Sequence, residues 1–437
     1  MATEWYMSYG GVEVVNHSRL TTYLETVGSP LDDFSGCGCP TFTNAVLEEL
    51  PYTTPDSAAS PAPWYDADVP ESVEFAGLMV LQVDGLDDYP VQRTVTGGIS
   101  GGGAIGPARA LPRTITVTAL VLGSTCCGVD YGLHWLGQVL QGCGSGECDG
   151  DCLTLYNCCP GENLDAATFN GRHRRTLRRV ALVEGPRVTA RAGNGCGTGE
   201  CQTGADILTV EWVMTAAVPW LWTDPMLVLE VTPPMDLDGS CVKWCLLPPG
   251  ECPNGCRFAE CPDPTAACAD PRCKPNSPPM PGAPLSTCFC LPLAAERACY
   301  EMDLTGRPTW SSDVPVITLR AGSSDLRNIT IEIHEHSDAT LTCEETADAG
   351  RCSPQNYFHV AFVPAGGAVT LDGQTGRATV ECGGMCESSP DVYGRDGMPP
   401  TYQLLECAEY CVCISSDLES PPAIDAMVTL SVSGRGR

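Results

Sequence analysis

Cysteine is the residue type that offers most chemistry in this chain, which holds 28 of them among 437 residues. They occur as CC, C-x-C and C-x-x-x-C, and nowhere as C-x-x-C. Cysteines with two to four residues between them can bind tetrahedral zinc, so a four-cysteine site within 241–273 is one alternative. Disulfides are the favoured alternative, although spacing alone does not give their pairing.

Two glycine-rich motifs resemble catalytic signatures. Residues 98–102 (GISGG) match the nucleophile motif G-x-S-x-G, and residues 101–106 (GGGAIG) match the phosphate-binding motif G-x-G-x-x-G. Both chemistries need a helix directly after the glycines. Further glycines and Pro107 follow instead, so this segment is interpreted as a flexible loop and we expect no catalytic site.

A histidine pair is the other candidate for metal binding. His334 and His336 lie two residues apart in a predicted strand, so both point to one face, near Glu332 and Asp338. The opposite face is a row of isoleucines, and we therefore expect the histidine face to be exposed to solvent. The sequence predicts neither a bound metal nor a cofactor.

Arginines are concentrated in one segment of a strongly acidic chain. The formal charge is -30, from 54 acidic and 24 basic residues, which disfavours general binding of nucleic acid because polyanions repel. Residues 172–191 nevertheless hold seven arginines against one glutamate. They could pair with carboxylates of this chain or of a neighbour, and contact with nucleic acid is the remaining alternative. We predict a subunit or partner interface at Arg172, Arg174, Arg175, Arg178 and Arg179.

The elements that position these residues are mostly strands. Alternation of apolar and polar residues predicts strands at 114–122, 207–214, 327–335 and 425–433. One helix is predicted at 130–141, with Asp130 as its cap, Gly142 at its end and an apolar stripe of Leu133, Leu136 and Leu140. The fold class is therefore mainly β.

Composition divides the chain into three parts. Residues 232–310 hold ten cysteines and 15 prolines, so they are interpreted as an insert or linker between an N-terminal domain at 1–231 and a C-terminal β-sandwich at 311–437. No apolar run reaches the length needed to span a bilayer. The first residues, MATEWYMSYGGVEVV, lack the basic and apolar regions of an export signal, so cysteine oxidation would have to follow another route of release.

A series of segments in the first half resembles a known family. The segments are GGVEVVNHSRLTTY at 10–23, PWYDADVPESVEFAGLMVL at 63–81, GISGGGAIGPARALPRTITVTALVLGSTCCGVDYGLHWL at 98–136, GRHRRTLRRVALVEGPR at 171–187 and ILTVEWVMTAAVPWLWTDP at 207–225. Together they resemble minor tail proteins of long-tailed phages of actinobacteria, and their order is similar to that of distal tail proteins. In that family a glycine-rich loop precedes a strand that carries arginines, here Arg109 and Arg113. Residues 311–437, with the hairpin-like VTLDGQTGRATVE, resemble the galectin-like β-sandwich of such proteins.

The resemblance implies a structural role in the virion. It implies a homo-hexameric ring that joins the tail tube to the tail tip, with the tube protein, the tape measure protein and the tip hub or receptor-binding proteins as partners. Assembly in the host cytoplasm and release by lysis would also explain a cysteine-rich chain without an export signal. No membrane insertion is expected.

Two other classes of function remain as alternatives. The chain could be a tail-tip protein whose 311–437 domain binds a glycan of the host surface, which needs an exposed aromatic platform. Trp310, Tyr357 and Tyr402 are available for one. An enzyme such as a wall hydrolase is the other alternative, but the sequence shows no acid–base or nucleophile constellation that would support it.

Overall fold

The computed structural model describes residues 4–29, 39, 41–48, 50–142, 150–161, 165–193, 206–235, 241–245, 288–292, 295–308, 311–382, 385–417 and 420–436. The chain is mainly β, which confirms the predicted fold class. It divides into two compact units, Met1–Met226 with Ser433–Arg437, and Leu227–Val432. Nearly all of the alternative zinc site at 241–273 lies outside the described residues. Among the described residues, no helix is long and apolar enough to cross a membrane.

The first unit contains eleven of the described strands and four helices. The strands are β1 Tyr6–Tyr9, β2 Val12–Asn16, β3 Phe75–Asp84, β4 Val91–Gln92, β5 Val95–Gly97, β6 Gly103–Ile105, β7 Arg109–Ala110, β8 Arg113–Gly123, β9 Asp151–Tyr156, β10 Arg174–Gly193 and β11 Asp206–Trp222. The helices are α1 His17–Thr26, α2 Glu71–Glu74, α3 Cys126–Gln141 and α4 Ala166–His173. The prediction of a single helix was wrong, because α1, α2 and α4 are too short to show a clear helical period.

Alternating side chains of the central strands build the core of this unit. In β8, Ile115, Val117 and Val121 are fully buried, and in β11 Trp212 and Met214 are fully buried. Both strands therefore confirm the alternation seen in the sequence. They pair antiparallel over their whole common length, from Asp206↔Gly123 to Ala216↔Arg113.

Helix α3 starts four residues before the predicted Asp130. The Thr125 side chain accepts a hydrogen bond from the Gly128 N–H at 3.0 Å and caps the helix there. A Cβ atom added at Gly132 would lie 2.4 Å from the Phe75 ring, so glycine lets the helix approach β3 closely. The predicted end at Gly142 and the burial of Leu136 and Leu140 are confirmed.

His17, the first residue of α1, predicts a pH dependence. Burial lowers its pKa to about 4, and its ring packs on Trp5 with centroids 3.8 Å apart. The unfolded chain takes up this proton below about pH 6.5 and the folded chain only near 4, so stability falls as the pH drops between these values. Between pH 7 and pH 4.5 we expect the free energy of unfolding, measured with urea, to fall by about 2 kcal/mol in the wild type. This fall should be absent in His17→Gln.

A matched control for this pH effect is His134→Gln, because the His134 side chain is 81% exposed. It should leave the pH dependence of the wild type unchanged. An identical pH dependence in His17→Gln and the wild type would contradict the prediction.

The remaining strands lie in the second unit, except for Met226 of β12 and Ser433–Gly436 of β24. They are β12 Met226–Val231, β13 Cys241–Cys245, β14 Cys288–Pro292, β15 Ala295–Asp303, β16 Asp313–Arg320, β17 Leu326–Glu335, β18 Asn356–Val363, β19 Ala368–Asp372, β20 Arg377–Cys382, β21 Met385–Ser388, β22 Val392–Tyr393, β23 Glu409–Asp417 and β24 Met427–Gly436. Helix α5 is Cys343–Gly350, and Arg395–Gly397 form a 3-10 turn. Strands β13 and β14 pair only with each other among the described strands.

Two sheets of the second unit enclose its core. One has the order β15-β23-β17-β18-β22, and the other contains β12, β24, β16, β19, β20 and β21. The isoleucines Ile329, Ile331 and Ile333 of β17 are buried, as are Val428 and Leu430 of β24. The predicted strands at 327–335 and 425–433 are therefore confirmed, and so is the hairpin of VTLDGQTGRATVE, which β19 and β20 form.

The unit boundaries differ from those expected from composition. Strand β15 pairs along its whole length with β23, so residues 295–308 belong to the second unit rather than to a linker that ends at 310. At the other end, Ser433–Arg437 belong to the first unit. The Ser433 hydroxyl donates to the Thr223 carbonyl at 2.6 Å, and the Gly434 N–H donates to Thr223 Oγ1 at 2.8 Å. Both differences come from long-range pairing, which composition does not show.

Candidate functional site

Four neighbouring strands of a larger sheet form a section with two open edges, which is the main surface feature of the first unit. The order in this four-stranded section is β10-β11-β8-β3. Strand β9 pairs with β10 only as far as Val180, and among the described residues no strand pairs with the outer edge of 181–193. At the opposite side, β3 pairs with β8 alone in the described chain, and its residues Leu81, Gln82 and Asp84 are exposed.

The two open edges lie at the same level of the sheet. Glu184 is opposite Val213, which is opposite Thr116, which is opposite Asp84. Every neighbouring pair in this sheet is antiparallel. Because this section has four strands, an even number, β3 and β10 run in opposite directions. A second copy could therefore add its β3 to β10 and continue the antiparallel pattern.

The side chains at the edges suit a contact between proteins. Val183 and Val188 of β10 are 61% and 46% exposed, and Leu81 of β3 is 46% exposed. Arg187 and Arg191 stand on the β10 edge, each also near a carboxylate of β11 or its start. The β3 edge and the turn after it carry Asp84, Asp87 and Asp88. Unpaired edge strands of this length are normally covered by another chain or blocked.

An exposed arm extends from the β3 edge between β3 and β8. It consists of the small ladders β4–β7 and β5–β6, and its apolar residues Val95, Ile99 and Ile105 are 69% exposed or more. Ile99 belongs to the GISGG motif, which therefore forms the tip of a hairpin. The sequence interpretation of a loop at 98–106 was wrong for 103–105, which form β6.

Arg113 holds the base of this arm. It is 4% exposed, and its guanidinium donates to the carbonyls of Pro219 at 2.9 Å, Gly85 at 2.8 Å and Leu86 at 2.7 Å. Burial lowers the pKa of Arg113, while Asp88 and Asp87 raise it. The turn itself requires glycine, because Gly85 has φ +90° and an added Cβ would lie 2.0 Å from the Thr114 carbonyl oxygen.

Three arginines of the run contact groups of their own chain. Arg174 binds the Asp224 carboxylate through Nε and Nη2, both at 2.7 Å. Arg175 donates to the Arg174 carbonyl, and Arg178 Nη1 lies 2.9 Å from Cys152 Sγ. Burial raises the pKa of Asp224, and Arg174 offsets this only in part.

These contacts bear on the predicted interface. Arg174 and Asp224 line a polar recess of about 220 Å³, Arg172 is exposed at the end of α4, and Arg179 adopts φ +56°. Arg174 therefore pairs with a carboxylate of its own chain, which is one of the alternatives that the sequence left open. A subunit contact of the arginine run stays a prediction. Replacing the whole run would disturb the first unit as well as any interface.

The histidine pair of the second unit has surroundings that the sequence did not predict. His334 is 4% exposed, so the expectation of a solvent face was wrong, because helix α5 covers this part of the sheet. Its Nε2 lies 3.7 Å from Glu332 Oε2. His336 instead lies in a group with Cys343 and Cys411, whose ligand atoms are within 4.8 Å of one another.

Disulfides are present in both units, as predicted. Among the described residues they join Cys39 to Cys159, Cys299 to Cys413 and Cys343 to Cys411, and Cys126 is also disulfide-bonded. Cys127, Cys158, Cys352 and Cys407 carry thiols. The two pairs of the second unit tie β15 and α5 to the same strand, β23.

The aromatic platform suggested for glycan binding is not assembled from the described residues. Tyr402 packs on buried Phe358, with ring centroids 5.2 Å apart, and its hydroxyl donates to the Arg377 carbonyl. Tyr357 precedes Phe358 in β18 and so points to the other face of the strand. Trp310 lies outside the described residues.

Comparisons with known proteins return structural neighbours from phages. No protein-family model and no curated protein match the chain. The Dit protein of SPP1, described as a paradigm of the hub adsorption apparatus in phages that infect Gram-positive bacteria, is 10% identical, with a TM-score of 0.29 over 79% of this chain and 94% of that chain. A chain of the phage p2 baseplate in its activated conformation with Sr is 8% identical, with a TM-score of 0.31 over 78% and 90%.

Proposed function

We propose that this chain is a structural protein of a phage tail, a distal tail protein whose first unit forms a ring between the tail tube and the tail tip. The sequence resemblance over residues 8–230 suggests this role. The observation that carries the proposal is the four-stranded section β10-β11-β8-β3 with two level, open edges, β10 at 181–193 and β3 at 81–84. In this proposal the chain has no catalytic role.

In a head-to-tail contact the β10 edge of one subunit binds the β3 edge of the next, so every subunit uses each of its two edges once. Such a contact closes into a ring when its rotation divides a full turn. At this level Asp84 of one copy would face Glu184 of the next, and a shift of two residues along the strands would bring Asp84 opposite Arg187. We propose six copies, from the resemblance. Four strands from each of six subunits would place 24 strands around the ring.

The proposed partners are those of the same tail. They are the tube protein, the tape measure protein and the tip hub or receptor-binding proteins, with the chain located in the virion. The disulfides support a protein that works outside a reducing cytoplasm. A glycan-binding role for the second unit has less support, because Tyr357 and Tyr402 do not share a surface.

The assembly test places acidic groups on the β10 edge of the full chain. Val183→Asp with Val188→Asp should weaken ring formation about 100-fold, because the new carboxylate at position 183 would lie near Asp84 of the neighbouring β3 edge and the apolar contact of both valines would be lost. Both positions are exposed, so the free subunit should keep its stability. Mass photometry over a concentration series measures the effect, alone and with purified tail tubes of the same phage as template.

Ile424→Asp is the matched control, because Ile424 is an apolar residue of the second unit that is more exposed than either valine, at 84%. It should assemble like the wild type. Asp84→Lys combined with the two β10 substitutions should restore part of the assembly. A wild type that stays monomeric even with tubes present, or β10 variants that assemble normally, would contradict the proposal.

A further inference from the structure

We propose that His336, Cys343 and Cys411 form a binding site for a thiophilic divalent cation such as Zn²⁺ when the Cys343–Cys411 disulfide is reduced. The His nitrogen and the two sulfurs lie within 4.8 Å of one another. Two thiolates and one imidazole are a common donor set for zinc. The described residues contain no other group of this kind, so the proposal concerns one defined place in the second unit.

The three ligands come from three elements that the fold brings together. Cys343 is the first residue of α5, Cys411 is the third residue of β23, and His336 directly follows β17. The Cys343 and Cys411 Cα atoms are 5.3 Å apart. Cys343 and Cys411 are buried, and His336 is half-buried. A fourth ligand would therefore come from water at the His336 side.

The hydrogen bonds of His336 leave one ring nitrogen available for a metal. His336 Nε2 lies 3.1 Å from the Leu341 carbonyl oxygen. A carbonyl can only accept, so Nε2 carries the proton and the lone pair belongs to Nδ1. A backbone carbonyl that accepts from the second ring nitrogen is the usual support of a metal-bound histidine. The His336 N–H also donates to the Glu409 carbonyl at 2.8 Å, which fixes the backbone beside β23.

The segment between His336 and Cys343 is also held in place. Thr342 and Glu345 form a reciprocal capping box at the start of α5, and Asp338 accepts from the Thr340 N–H and hydroxyl. These bonds do not involve the disulfide. The loop and helix start can therefore keep Cys343 near His336 after the sulfur–sulfur bond is broken.

Metal binding and the disulfide exclude each other. A disulfide sulfur has no thiolate charge, so the pair must first gain two electrons and two protons. A phosphine reductant supplies the electrons, takes the oxygen of one water to become the phosphine oxide, and leaves both protons on the sulfurs. Binding of Zn²⁺ then releases both thiol protons to solvent. The site would thus take the metal in a reducing compartment and carry the disulfide after oxidation.

The test measures alkylation of individual cysteines in the full chain, because other cysteines could also bind zinc. The protein is reduced with a phosphine, incubated with or without Zn²⁺, and treated with iodoacetamide, and labelled peptides are quantified by mass spectrometry. We expect Zn²⁺ to slow alkylation of Cys343 and Cys411 at least tenfold. In His336→Ala, which removes one ligand, at least tenfold more Zn²⁺ should be needed for the same protection.

Controls separate this site from general effects of zinc. His359→Ala should keep the protection, because His359 lies in β18 beside Thr330 and outside the group. Cys299 and Cys413, the neighbouring disulfide pair, should gain less protection than Cys343 and Cys411. If zinc leaves alkylation of Cys343 and Cys411 unchanged, the proposal is overturned. Equal protection in wild type and His336→Ala would also overturn it.

Discussion

Replacing both Cys343 and Cys411 by alanine should lower the free energy of unfolding of the oxidised second unit by about 4 kcal/mol. The disulfide closes a loop with a sequence separation of 68 residues, and a cross-link over such a loop strongly reduces the entropy of the unfolded chain. It also fixes α5 to β23, and α5 covers the buried His334. Hydrogen exchange of the β23 amides measures the opening of this unit directly.

Two further variants define the origin of this effect. Cys299→Ala with Cys413→Ala opens a loop of separation 114 and should cost nearly 5 kcal/mol. The two loops share β23, so removing both pairs should cost less than the sum. Cys352→Ala removes an exposed thiol and should change the stability by less than about 0.5 kcal/mol. Exchange rates of β23 that match the wild type in the Cys343→Ala, Cys411→Ala variant would refute the prediction.

Arg113→Met should destabilise the first unit by about 3 kcal/mol, because three main-chain carbonyls lose a buried charged donor. The thioether side chain keeps much of the apolar stem of arginine and so limits the effect of lost packing. The carbonyls belong to Gly85, Leu86 and Pro219, which surround the base of the exposed arm. Chemical denaturation followed by tryptophan fluorescence measures the stability, since Trp212 is buried in this core.

The same substitution should loosen the arm before it unfolds the unit. Trypsin can cleave after Arg93 and Arg109 within the arm, and we expect cleavage after Arg93 to be at least tenfold faster in Arg113→Met, which corresponds to about 1.4 kcal/mol of easier local opening. Arg109→Met is the control for stability, because Arg109 is exposed. Its stability should stay within about 0.5 kcal/mol of the wild type. Equal stability of the two variants would show that the carbonyl contacts of Arg113 contribute little.

Local pattern in the sequence was sufficient for the strands that form the two cores. In 114–122, 207–214, 327–335 and 425–433 the alternation of side chains is itself the cause of burial, because successive residues of a strand face opposite sides. The end of α3 at Gly142 was predictable for a similar local reason. Its start was not, because Thr125 begins a helix whose early glycines are explained only by their contact with Glu74 and Phe75.

The candidate sites depended on contacts between distant residues. Nothing near His334 in the sequence shows that α5 will cover it, and nothing in 28 cysteines shows that Cys343 will reach Cys411 and His336. The arginines of 172–179 are dense in the sequence, yet the partner of Arg174, Asp224, lies 50 residues away.

The sequence by itself determined the mainly β class, the central strands and the unequal distribution of acidic and basic residues, because these follow from composition and short-range periodicity. Only the tertiary structure decided that the basic segment and the aspartates after β3 lie on opposite edges of one sheet. Strand order and register arise from long-range hydrogen bonds, and the free edge of a sheet is the property of a whole sheet rather than of any one segment.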